Sequence, residues 1–158
     1  MLLKILSIVG AALMVLYGAW TLLADASNEL LVGKAQVITG DTLEIAGERI
    51  QIFGINSPEP NQVCDYHGTK WLCGAKSAIE VARWIGGSTL VCRRRSTPPS
   101  RTASCMKGAV DVGRWAIRHG WAVADTCRSR SYVDDQEKAR RARVGMWSSS
   151  FPMPRLSC

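Results

Sequence analysis

Between Thr42 and Ile52, apolar and polar residues alternate on either side of a single glycine. Leu43 and Ile45 precede Ala46-Gly47-Glu48, and Ile50 and Ile52 follow it. A period of two buries one face of a strand, and glycine accepts the positive φ that a tight hairpin turn requires. Strands are therefore expected at Leu43 to Ile45 and Ile50 to Ile55, with residues 46–48 as the turn. In an antiparallel pair the start of one strand lies beside the end of the next. Asp41 should thus meet the segment Asn56-Ser57-Pro58-Glu59. A convergence of oxygen atoms there makes this the candidate place for a cation and a reaction.

The chain has 158 residues, room for one domain with a sizeable core. Residues 5–23 hold no charged side chain, follow Lys4 and precede Ala24-Asp25-Ala26. This reads as a signal peptide cut after Ala26, or as an anchor helix if it is not cut. The domain then occupies residues 27–158 outside the cytoplasm: periplasmic, secreted, or tethered to the outer face of the inner membrane. Membrane contact is expected only through that segment, and a monomer is expected. Lys4 and Asp25 cancel, so the whole net charge of +7 belongs to the exported part. A basic surface attracts polyanions by releasing their counterions, which suits DNA, RNA or an acidic polysaccharide. A solvated basic face without a partner is the plain alternative.

All six cysteines, 64, 73, 92, 105, 127 and 158, follow the apolar segment, and an even number in an oxidising compartment reads as disulfides. Neighbour pairing is favoured: Cys64 with Cys73 around a short polar loop, Cys92 with Cys105 between two strand-like runs, and Cys127 with Cys158 at the tail. A zinc site from Cys64, His67 and Cys73 competes, but no paired Cys-x-x-Cys spacing supports it.

Leu30 to Ile38 reads as a strand. Pro58 and Pro60 end the hairpin and open a loop through Tyr66-His67-Gly68 to Trp71. From Gly74 to Ile85 the apolar residues recur at helical spacing, closed by Gly86-Gly87. Thr89 to Cys92 and Ala103 to Met106 are short strands separated by a loop running from Arg93 to Ser100. A second helix lies between Asp111 as N-cap and Gly120 as its stop, with His119 a helix-end residue rather than a base. A third spans Ser131 to Val144, acidic early and basic late as its dipole prefers. Short strands with one tight hairpin, followed by helices, give an α+β chain that is mainly β. The expectation is a five-stranded barrel of the oligonucleotide-binding (OB) type with three packed helices.

In this order the motifs resemble the staphylococcal nuclease-like (thermonuclease) family. The matching pieces are Val37-Ile-Thr-Gly-Asp-Thr42, the exit Ile50-x-Ile-x-Gly-Ile-Asn-Ser-Pro-Glu59, Cys73-Gly-Ala-x-x-Ala78, Asp111-Val-x-x-Trp115, Gly120-Trp-Ala122, Tyr132 and Ala139-Arg through Gly145-Met-Trp147. The resemblance implies an OB barrel that cleaves DNA and RNA with calcium and leaves 3′-phosphates. It implies Asp41, Asn56 and the Ser57 carbonyl as calcium ligands, hard oxygens of the kind that ion takes. It makes Glu59 the group that activates water and Arg101 a cation for the transition state. Arg49, Arg93, Arg94 and Arg95 are expected along the substrate.

The departures from that pattern fall inside the site. An arginine is usual where this chain has Gln51, and an aspartate where it has Asn56. Arg101 follows Thr-Pro-Pro-Ser instead of the family's Asp-x-Tyr-Gly. Arg49 shares the strand face of Gln51, one pleat repeat away, and is the expected partial stand-in for the missing guanidinium. The alternative to an enzyme is a homologue that binds nucleic acid or acidic polysaccharide without cutting it.

Overall fold

The structure, a computed structural model, describes residues 30–95 and 101–154. The chain divides after Leu30, and the unit from Leu31 onward carries the barrel. Strands β1 (Leu30–Val37), β2 (Thr42–Ile45) and β3 (Glu48–Ile52) form an antiparallel meander, with Leu43 opposite Ile50 and Thr42 opposite Gln51. Ala46 and Gly47 both adopt positive φ, 52° and 76°. The connection is thus a two-residue turn whose twist suits the flanking strands. Glu48 belongs to β3, where it faces Ile45, and not to the turn. The second strand also stops earlier than its apolar run suggests. Phe53 and Gly54 turn the chain, and Ile55–Asn56 forms a separate strand, β4.

Pro58 and Pro60 do end the strand, but the segment beyond them is not the loop that the sequence suggests. β5 (Val63–Tyr66) and β6 (Thr69–Leu72) pair as a hairpin around His67-Gly68. The Asp65 carboxylate accepts the Gly68 N–H at 2.6 Å and fixes that turn. Helix α1 (Cys73–Ile85) follows and buries Val81 and Ile85 in the main core.

Strands β7 (Thr89–Arg94) and β8 (Thr102–Lys107) close the barrel. β1 pairs with β7, β7 with β8, and β8 runs parallel to β3 with Thr102 beside Gln51. The result is a closed, five-stranded OB-like barrel with Leu43, Ile45, Ile50, Ile52, Leu90 and Ala103 buried inside it. Arg93 and Arg94 lie within β7, not in a loop, because their backbones pair with Ser104 and Ala103 and the Arg94 side chain meets Glu48 at 2.6 Å.

After β9 (Val110–Asp111), helix α2 (Val112–Arg118) begins as expected, with the Asp111 carboxylate accepting the Arg114 N–H at 2.7 Å. β10 (Val123–Ala124) pairs antiparallel with β4. Helix α3 (Val133–Arg141) is shorter at both ends than its charge pattern suggests, and Arg143, at φ 51°, cannot continue it. A 3-10 turn, Gly145–Ser148, follows.

Two disulfides match the expected neighbours. Cys64–Cys73 closes the β5–β6 hairpin, and Cys92–Cys105 joins directly opposed residues of β7 and β8. Cys158, the third pair's second half, lies outside the described residues, as do the expected signal or anchor segment 1–26 and the loop 96–100. No helix among the described residues is long and apolar enough to cross a membrane.

Burial pushes the Tyr132 phenol well above its ordinary value, and the Asp111 carboxylate, 3.2 Å from the hydroxyl, adds to the effect. The folded state therefore keeps a proton that the unfolded chain loses near pH 10. Stability from this group is complete below that pH and declines as pH rises above it. Urea titrations between pH 8 and 11 should show the decline, and Tyr132→Phe should flatten it.

Each disulfide closes a short loop, with sequence separations of 9 and 13. Chain-entropy reasoning gives about 2–3 kcal/mol apiece, a large part of what such a domain has to lose. Replacing Cys64 and Cys73 together by alanine should lower the urea midpoint accordingly. An unchanged midpoint would show that the hairpin holds its place without the bridge.

Candidate active site

The turn between β1 and β2 places Asp41 almost out of solvent, at 7% exposure. A buried carboxylate is costly unless hydrogen bonds replace its water. Here Oδ1 accepts from the hydroxyls of Thr39 at 2.7 Å, Thr42 at 3.1 Å and Ser57 at 3.0 Å. Oδ2 accepts from the Ser57 N–H at 3.0 Å and the Gln51 amide at 3.3 Å. The same Gln51 Nε2 donates to Asn56 Oδ1, also at 3.3 Å. Residues from the β1–β2 turn, β3, β4 and the segment after it are thereby drawn into one cluster, as the hairpin geometry leads one to expect.

Two glycines set the backbone of this site against α1. A Cβ at Gly40 would run into the Ser77 hydroxyl, and a Cβ at Gly74 would collide with the Glu59 carbonyl. Ser77 is fixed in turn by donating to the Trp121 carbonyl at 2.6 Å. The helix therefore supports both acidic segments. Glu59 itself is exposed, two residues beyond Ser57, and its backbone carbonyl accepts the Gln62 N–H at 2.8 Å.

The expected cations are distributed unevenly around the cluster. The Arg101 carbonyl accepts the Gln51 N–H at 2.8 Å, which places Arg101 at the mouth of the β3–β8 pairing. Arg95 donates to Ser104 at 2.8 Å and lies over the Phe53 ring at 5.9 Å. The hydrogen bond from Arg94 holds the Glu48 carboxyl below the usual range against the effect of burial, and the charges of Arg94 and Arg101 add to it. Arg93 is exposed on β7. Arg49 is exposed opposite Glu44, on the strand face it shares with Gln51. The guanidinium that is hydrogen-bonded to Gln51 belongs to another residue, Arg128, whose Nη1 donates to Gln51 Oε1 at 2.9 Å. Its Nε lies 3.3 Å from Oδ2 of the buried Asp125. Neither residue stands out in the sequence. The one local signal is an Asp-x-x-Arg spacing in a polar loop.

Calcium takes hard oxygens, and Asp41, Asn56 and the Ser57 carbonyl are of that kind. Their chemistry fits the ion. The Gln51 NH2 group sits between the Asp41 and Asn56 oxygens, at distances long for hydrogen bonds, and a cation shared by that pair would displace it. Among the described residues no three His, Cys, Asp or Glu side chains group as a metal site, so this ligand set depends on an amide and a backbone oxygen.

The fold and site define an OB-like barrel with a buried carboxylate, two amides and a serine gathered beside the β1–β2 turn. The chain is 36% identical over 125 residues to the succinoglycan biosynthesis protein ExoI of Rhizobium meliloti (strain 1021). The match takes in 75% of this chain and 65% of that protein's length. No family model matches the chain.

Removing the Asp41 acceptor should cost stability as well as any activity. Asp41→Ala orphans the Ser57 N–H in a buried place, which costs about 1–3 kcal/mol. Asp41→Asn retains one acceptor oxygen and should cost less. Urea unfolding of the two variants tests this ranking, and equal stability of all three proteins would contradict it.

Proposed function

We propose that this chain is an exported phosphodiester hydrolase of the staphylococcal nuclease-like class, acting on DNA or RNA. The observation that carries the reading is the hydrogen-bonded convergence of Asp41, Asn56 and Ser57 beside an OB-like barrel strand, with Glu59 two residues on. Calcium held by Asp41, Asn56 and the Ser57 carbonyl would polarise the phosphoryl group. Glu59, exposed to solvent, takes the proton of the attacking water. Water's oxygen joins phosphorus as the bond to the 5′ oxygen breaks, that oxygen takes up a proton from solvent and leaves as a hydroxyl, and the phosphate stays on the 3′ side. Arg101 and the basic face along β7 bring the polyanion in through its backbone. Two disulfides fit an oxidising compartment outside the cytoplasm.

A second reading has specific support. With Gln51 between Asp41 and Asn56, the barrel can hold a polyanion without cutting it. The name of the relative, a succinoglycan biosynthesis protein, favours a polysaccharide as that polyanion.

The full-length oxidised chain, incubated with plasmid DNA and with RNA in calcium or in chelator, separates the two. Chelator-sensitive cleavage that disappears in Glu59→Ala, with an unchanged melting temperature, supports the hydrolase. Intact substrate together with salt-sensitive retention on an anionic polysaccharide moves the reading to the binder.

A further inference from the structure

We infer that Arg128 is the residue that grips the scissile phosphate, supplied by the loop after β10 in place of a strand arginine at position 51. The inference rests on the phosphodiester reading above.

The geometry begins at Gln51. Its NH2 group is directed at Asp41 Oδ2 and Asn56 Oδ1, so its carbonyl oxygen faces away from them and needs a donor. Arg128 Nη1 is that donor, at 2.9 Å. The amide thus joins a guanidinium to the carboxylate cluster and orients both.

Arg128 is held from behind as well. The Asp125 side chain is 2% exposed, and a carboxylate so deeply buried requires a partner. Arg128 Nε meets it at 3.3 Å, while Asp125 Oδ1 accepts the Cys127 N–H at 3.2 Å. The loop backbone is fixed too. The Asp125 N–H donates to the Gly54 carbonyl at 2.9 Å, and the Asp125 carbonyl accepts from the N–H groups of Arg128 and Ser129. A guanidinium anchored at Nε and Nη1 loses little freedom when it binds a ligand, and the rest of its planar fork suits two oxygens of one phosphate. The side chain is 32% exposed, so a phosphodiester can reach it. Arg94 and Arg95, by contrast, are engaged at Glu48 and Ser104.

The test uses the full-length oxidised chain with plasmid DNA for cleavage and a short single-stranded DNA for binding, both in calcium. It compares the wild type with Arg128→Ala, Arg128→Lys, Gln51→Arg/Arg128→Ala and the helix-end control Arg141→Ala. Loss of Arg128 should lower kcat by about a hundred- to a thousand-fold. It should also reduce the slope of log affinity against log salt by roughly 0.7–0.9. Arg128→Lys should preserve most of the slope but not the rate, Gln51→Arg should restore much of the lost rate in the double variant, and Arg141→Ala should leave the rate unchanged. If Arg128→Ala does not fold, Arg128→Gln, which can still bond Asp125 without a charge, takes its place in each arm.

A wild-type rate in Arg128→Ala overturns the inference. So does a lost rate with an unchanged salt slope, because Arg128 would then act only by positioning Gln51. If the wild type leaves DNA intact, the hydrolase reading falls and the slope alone decides. A reduced slope keeps Arg128 as a phosphate contact, and an unchanged slope removes it. A wild type that neither cuts nor binds overturns both.

Discussion

The Asp41 carboxylate is the interaction on which the rest of this end of the barrel depends. It is buried, and every group that donates to it is neutral: three hydroxyls, one backbone N–H and one amide. Five donors satisfy its lone pairs without cancelling its charge. The cluster is therefore fully hydrogen-bonded without a cationic side chain bonded directly to Asp41. Because the donors come from the β1–β2 turn, β2, β3 and the segment after β4, the bonds that satisfy Asp41 also fix where Ser57 stands, and Gln51 extends them to Asn56.

Helix α1 supplies the rigid backing. Its N-terminal half approaches Gly40 and the Glu59 carbonyl so closely that no side chain fits at Gly40 or Gly74. Cys73, at the first position of the helix, is bridged to Cys64 at the start of the β5–β6 hairpin. The hairpin, the helix and the two acidic segments are thus linked by one disulfide and two close approaches at glycine. The motif Cys73-Gly-Ala-x-x-Ala78 makes physical sense in these terms. The cysteine anchors the hairpin, the glycine admits the Glu59 backbone, and α1 carries the hydroxyl of Ser77 to the Trp121 carbonyl.

The barrel was readable in the sequence because its signals are local. Alternation across Thr42 to Ile52, the Asp111 cap and the helical spacing after Gly74 each involve neighbours a few residues apart. The failures share the opposite property. β7 extends through Arg93 and Arg94 because Ser104 and Ala103 pair with them from across the sheet, and no short window contains that information. The β5–β6 hairpin sits in a stretch of prolines and polar residues where turn chemistry, the Asp65 bond to Gly68, outweighs weak strand propensity. In the site, Asp41, Asn56 and Ser57 came together as their hairpin dictates. Arg128 was not legible, because it lies 77 residues from Gln51 and arrives through a loop fixed by the burial of Asp125.

Set against the nuclease-like pattern proposed above, the departures at positions 51 and 56 are better understood as one. An arginine and an aspartate at positions 51 and 56 would face each other as an ion pair beside Asp41. In this chain the same two positions carry Gln51 and Asn56, joined by an amide-to-amide hydrogen bond. Replacing both members of a charge pair by neutral partners of similar shape leaves no orphaned charge, whereas replacing either alone would. The exchange also removes one positive and one negative charge together, so the net charge around Asp41 is what the ion pair would have left. On the hydrolase reading proposed above, what the exchange would remove is a guanidinium beside the phosphate and a carboxylate beside the cation. The first has a replacement within reach in Arg128, held by Asp125. The second has none that is bonded to the cluster among the described residues, so on that reading the heavier demand falls on Asp41 itself.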